Sequence, residues 1–144
     1  MTGNSRFAVS VHVLSYLAYK AGAQTTSAEI ASSVDTNAVV IRRLLSALVK
    51  ARLVLTHKGA TGGFSLASAP ENITLLDIYR AVEPQVDHGL SRFSPNHKCP
   101  VGARIETILR TAFFKAQSGM EAELARVSLS DICSQLKGVC TAKP

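Results

Sequence analysis

No run of 18 apolar residues occurs in this 144-residue chain, and its N-terminus lacks the ordered basic, apolar and small-residue segments of a secretory leader. The expectation is a soluble cytoplasmic protein with no membrane partner. Cysteine is scarce, at Cys99, Cys133 and Cys140. An odd count in a cytosolic chain argues against a disulfide framework and leaves redox, metal or packing roles. Catalytic patterns are missing too: there is no Ser-His-Asp arrangement, no patterned carboxylate pair and no HExxH. Nucleotide loops of the form GxxxxGK[ST] or GxGxxG are likewise absent. The chain therefore reads as a non-enzyme with no expected cofactor. It has neither an internal repeat nor a low-complexity tract.

What is present is an uneven positive charge. The formal net charge is +6, and residues 1–63 carry +5 of it, with seven Lys/Arg against Glu29 and Asp35. A basic half of this kind favours a polyanionic partner, because each cation laid on a phosphate releases counterions. The length suits one compact domain, or a small domain with a dimerisation extension.

Apolar spacing predicts the elements. Phe7, Ala8, Val11, Leu14 and Ala18 recur at helical steps, with Ser5 as N-cap and Gly22 as the stop. A second, short helix opens near Thr26 to Glu29, with Ser27 able to cap it, and closes near Val34. Asp35-Thr36-Asn37 supplies turn and capping chemistry for a third helix reaching about Ala51. Val40, Ile41, Leu44, Leu45, Leu48 and Val49 are expected inside, with Arg42, Arg43, Ser46 and Lys50 opposite. Leu53–Thr56 and Phe64–Ala67 read as two strands around a glycine-rich turn. Thr74 and Asp77 cap a fourth helix, residues 84–99 read as a loop, and a long helix restarts at Pro100, breaks at Gly119 and is followed by a short one from Ser130 to Lys137.

Helix, helix, helix, strand, strand is the order of a winged helix-turn-helix. The expected class is mainly α with a small β-hairpin: a DNA-binding domain over 1–83, a loop over 84–99 and a helical dimerisation region over 100–144. The third helix would enter a major groove and the hairpin would reach a minor groove or a phosphate run. Arg42, Arg43, Lys50, Arg52 and Lys58 are the expected phosphate contacts. Thr36, Asn37 and Val39, with Arg42 shared between the two roles, are the expected base readers. His57 and Lys58 are placed at the hairpin tip, with Gly62 and Gly63 letting backbone approach a phosphate. His12, beside apolar neighbours on the first helix, reads as structural.

Ser5 to Ala8 with His12, Thr26 to Ala31, Asn37 to Leu48, Leu53-Val54, Gly59 to Phe64 and Ile73 to Tyr79 together resemble the Rrf2 family of bacterial transcription regulators. The likeness spans residues 5 to 83 and, more loosely, the helix from Pro100. It implies a homodimeric winged-helix protein with the helix near Asn37–Lys50 in the major groove, the wing around Lys58–Gly63 at the minor groove and a long dimerisation helix. The expected role is that of a repressor on a roughly two-fold symmetric DNA operator. Iron–sulfur members carry three closely spaced cysteines before that helix. Here Cys99 stands alone there and the next cysteine is 34 residues on, so no cluster is assigned.

Cys99 precedes a helix start and follows His97 and Lys98, so dipole and cations are expected to favour its thiolate and make it a redox-sensing candidate. A disulfide with Cys133 or Cys140 is one outcome, and an inert cysteine is the other. Two further alternatives stay open: a metal site from Cys99, His97, His88 and Asp87, and a winged-helix interaction module that does not bind DNA.

Overall fold

The computed structural model describes residues 5–136. Helix α1, Arg6–Tyr19, turns Val13, Leu14, Leu17 and Ala18 inward. Ser5 occupies its N-cap position but makes no side-chain cap bond, and the helix ends at Tyr19, with Gly22 (φ 84°) in the turn beyond. Helix α2, Ser27–Val34, is capped by Thr26 rather than Ser27. The Thr26 hydroxyl accepts from the Glu29 N–H at 3.2 Å and the Glu29 carboxylate accepts from the Thr26 N–H at 2.9 Å. This reciprocal box satisfies two amide donors that a helix start leaves unpaired.

Asp35 takes the left-handed conformation (φ 60°) and the Thr36 N–H reaches back to the Ala31 carbonyl at 3.0 Å, which turns the chain sharply into α3, Ala38–Lys50. Aspartate tolerates this backbone better than most residues because its short side chain bonds locally. The Asn37 Oδ1 caps α3 by accepting from the Val39 N–H at 2.7 Å. At the far end Arg52 is also left-handed (φ 63°), and the Leu53 N–H bonds the Leu48 carbonyl at 2.9 Å.

Strands β1, Val54–His57, and β2, Gly63–Leu66, pair antiparallel from Val54↔Leu66 to His57↔Gly63. Thr25, just before α2, adds a bridge to Phe64 through N–H···O bonds of 3.0 and 2.8 Å. The hairpin is thereby tied to the entrance of the helix-turn-helix.

Helix α4, Leu75–Val82, carries the expected Thr74–Asp77 capping box. After an irregular segment with one 3-10 turn at Leu90–Arg92, α5 runs from Ile105 to Leu124 and α6 from Leu129 to Gln135. The long helix thus begins five residues later than Pro100, because residues 100–104 form separate turns. It also passes through Gly119 without breaking. A glycine in a helix interior costs only about 1 kcal/mol against alanine, too little to divide a 20-residue helix.

Ile30 of α2, Ile41, Leu45 and Leu48 of α3, and Ile78 of α4 join the α1 residues in one core. Leu129 and Cys133 of α6 belong to the same cluster, so the last described helix folds back on α1. Its predicted end at Lys137 lies outside the described residues. Val40, expected in this core, is 42% exposed.

Gly63 shows why the hairpin needs a glycine at its return. A Cβ there would stand 2.7–2.9 Å from the Thr25 backbone. Gly63→Ala is expected to destabilise the protein by about 1–3 kcal/mol in urea unfolding, the usual cost of overpacking. Unchanged stability would mean that the Thr25 bridge is dispensable.

Candidate nucleic-acid interface

A helix advances roughly 100° per residue, so Val39, Arg43, Ser46 and Lys50 form one line along α3, with Arg42 on one flank and Val40 on the other. All six are exposed, whereas Ile41, Leu44, Leu45 and Leu48 are buried on the far side. Thr36 is exposed in the turn before the Asn37 cap. The Asn37 Oδ1 and the Val39 N–H are spent on each other, which leaves the Asn37 amide nitrogen as its remaining side-chain donor.

Ion pairs decide whether the basic face is already neutralised. Among the described residues Arg80 pairs with Glu121 (3.3 Å), Arg110 with Glu106 (2.9 Å) and Arg126 with Glu123 (3.5 Å). Among the described residues none engages Arg42, Arg43, Lys50, Arg52 or Lys58. The cations of α3, of its junction with β1 and of the hairpin therefore face solvent without an acidic partner among the described residues.

At the hairpin, Lys58 is exposed, but His57 is not at the tip. It closes β1 opposite Gly63, and its Nε2 lies 2.7 Å from the Oγ of buried Ser65. The imidazole braces the hairpin from within. Gly62 and Gly63 have packing reasons of their own: a Cβ on Gly62 would run into the His57 carbonyl, and one on Gly63 into Thr25.

The Cys99 environment is built locally. The Asn96 Oδ1 accepts from the Lys98 N–H (3.0 Å), the Cys99 N–H donates to the Asn96 carbonyl (3.1 Å), and the Ala103 N–H donates to the Cys99 carbonyl (2.9 Å). The exposed thiol is held below its ordinary pKa by backbone N–H groups of Gly102 first and Val101 second. The cause differs from the expected one: these two amides stabilise the thiolate, and α5 itself starts only at Ile105. Gly102 is buried, and the Asn96 carbonyl occupies the space where a Cβ would go, so this position suits glycine.

Cys133 is 7% exposed in the core, and Cys140 lies outside the described residues. The candidate metal ligands do not gather. His88 stacks on Phe113 at 4.1 Å, and Asp87 accepts from Ser91 Oγ (2.6 Å) and N–H, bonds that hold its carboxyl below the usual range. Among the described residues no three His, Cys, Asp or Glu side chains converge as a metal site would require.

Comparison with known proteins bears on this arrangement. The family model "Rrf2, iron-dependent transcriptional regulator" matches residues 3–135. YwnA of Bacillus subtilis (strain 168), which carries the designation of HTH-type transcriptional regulator, is 44% identical over 133 residues, covering 92% of this chain and 98% of its own. A structure from Lactobacillus plantarum, assigned as a transcriptional regulator, superposes with a TM-score of 0.80 at 28% identity, over 94% of this chain and 93% of that one. CymR, the global cysteine regulator of B. subtilis, gives 0.70 at 26% identity, over 94% and 98%. The iron in the family description finds no matching donor set among the described residues. One exposed thiol and one core thiol do not supply the three or four thiolates that a cluster needs.

Cys99 gives the measurable consequence. Its rate of alkylation by iodoacetamide is expected to reach half-maximum at a lower pH than that of an ordinary thiol, with Cys133 unreactive in the folded protein. Gly102→Ala is expected to move that midpoint upward by displacing an amide donor. A wild-type midpoint at the ordinary thiol value would remove the amide cradle as a cause.

Proposed function

The chain belongs to the Rrf2 family of transcriptional regulators, and on that premise we propose that it is a homodimeric repressor whose operator occupancy is set by the oxidation state of Cys99. It is a DNA-binding transcription regulator and not an enzyme. No described helix is long and apolar enough to cross a membrane, and in this reading the protein works on cytoplasmic DNA.

The observation that carries the DNA reading is the unpaired cationic face. Arg42, Arg43 and Lys50 stand on the exposed side of a capped helix, followed by Arg52 and Lys58, with no acid of the fold spent on any of them among the described residues. Arg43, Lys50, Arg52 and Lys58 lie on phosphates, while Arg42 is shared between phosphate and base edge. Thr36, the Asn37 amide nitrogen and Val39 face base edges. Gly62 and Gly63 let the hairpin backbone approach the duplex.

The dimer reading rests on α5. None of its described residues is buried, and Ile108 (60%) and Phe114 (74%) stand open to solvent. Two copies related by a two-fold axis would cover exposed apolar side chains of α5 and present two α3 helices to a symmetric operator. Sedimentation of the protein as a monomer at operator-binding concentrations would remove this part.

In the thiol reading, a hydroperoxide transfers one oxygen to the Cys99 thiolate, its other oxygen leaving as hydroxide or alkoxide, and a sulfenic acid results. Condensation with a second thiol forms a disulfide and releases water. Cys133 is buried in the described fold, so the second thiol in this reading is Cys140 or the Cys99 of another copy. A changed loop at the base of α5 would then alter the spacing of the two α3 helices.

Duplex DNA selected from a random pool supplies the probe. Arg43→Ala is expected to weaken binding to all sequences alike and to flatten the dependence of log K on log salt by about one unit. A sequence-dependent loss with an unchanged slope would reject the phosphate role. Hydroperoxide treatment is expected to release the wild type from this DNA and to spare Cys99→Ser; equal release of both would place the switch elsewhere.

A further inference from the structure

Val39 and Val40 are 45% and 42% exposed, in the first turn of a helix whose other outward residues are Arg42, Arg43, Ser46 and Lys50. Helix periodicity does not require two adjacent apolar side chains outside, and the buried face is already supplied by Ile41, Leu44, Leu45 and Leu48. Neither valine belongs to the core, although Ala38 beside them packs partly against it. The Asn37 cap fixes where this turn begins, since its Oδ1 holds the Val39 N–H at 2.7 Å.

β-branched side chains in a helix have essentially one χ1 rotamer. Both valines therefore present rigid methyl pairs at the helix end that sits nearest base edges in a major groove. Only one natural base offers an apolar group there, the C5-methyl of thymine. A valine cannot satisfy the donors and acceptors of guanine, cytosine or adenine edges, and covering those edges with it would leave polar groups desolvated and unpaired.

From these observations we propose that Val39 and Val40 are specificity-determining residues that select thymine by methyl contact, while the arginines of the same face hold the duplex in register. The proposal deepens the operator reading above and rests on it. It also gives Val40 a functional reason for lying outside the core. The expected operator half-site carries one or two thymines whose C5-methyl groups, and not their hydrogen-bonding edges, determine affinity.

Deoxyuridine has the pairing edge of thymine without the methyl, so it isolates this contact. In the selected operator each thymine is replaced in turn by deoxyuridine, and binding of the full-length protein is measured by fluorescence anisotropy at fixed salt. The wild type is expected to lose about threefold to fivefold affinity at one or two thymines per half-site, the scale of one buried methyl group. Val39→Ala and Val40→Ala, which favour the helix, are each expected to become insensitive at one of those positions and to keep the wild-type salt slope. Sequence-specific binding with no deoxyuridine effect at any thymine overturns the proposal and leaves the operator reading standing. So does a deoxyuridine effect that both variants retain. Failure of any sequence to be enriched overturns both.

Discussion

Everything the surface of α3 can do depends on the burial of its opposite side. Ile41, Leu45 and Leu48 are fully buried, and Leu44 nearly so, within a core shared with α1, α2 and α4. Because a helix is rigid about its axis, fixing four residues on one side fixes the direction of Arg43, Ser46 and Lys50 on the other. Truncating a buried leucine in such a core typically costs about 2–5 kcal/mol, so the orientation is held more strongly than any one surface contact could shift it. Asn37 and Arg52 then set the two ends, one by a side-chain cap and the other by a left-handed residue after the last turn.

The hairpin is oriented by a second, smaller set of constraints. Thr25 pairs with Phe64 on one side of the ribbon, His57 meets Ser65 within it, and Gly63 lets the two segments approach. The hairpin and the entrance to α2 are therefore one unit, so Lys58 is carried on a ribbon whose base is tied to the helix-turn-helix. Cys99 sits elsewhere, on a compact turn built by Asn96 and Gly102 just before α5. In the proposed mechanism that location is what matters, since α5 is the helix proposed to pair with its copy and carries exposed Ile108 and Phe114.

Much of this was legible in the residues. The order of elements follows from apolar spacing, and the cap at Thr74 with Asp77 follows from their separation. The expectation failed where two chemistries compete over one or two positions. Thr26 and Ser27 are both capping residues, and the choice of Thr26 is made by Glu29 standing three residues after it. Gly119 is a helix breaker only where nothing else sustains the helix, and Pro100 is a good helix start only if the residues after it are free to wind on. Here Cys99, Val101 and Gly102 are committed to a local turn.

The sequence alone determined the family likeness, the winged-helix order and the concentration of positive charge in its first 63 residues, because these depend on residue type and spacing along the chain. The tertiary structure decided that Val40 lies outside the core, what His57 bonds, and why the Cys99 thiolate is favoured. Those outcomes depend on groups meeting across turns and between elements: an imidazole with a hydroxyl eight positions away, an extended Thr25 against Phe64, two amides folded back on a sulfur. Periodicity places a side chain on a face of its own helix, but only packing decides where that face ends, and Val40 lies at that edge.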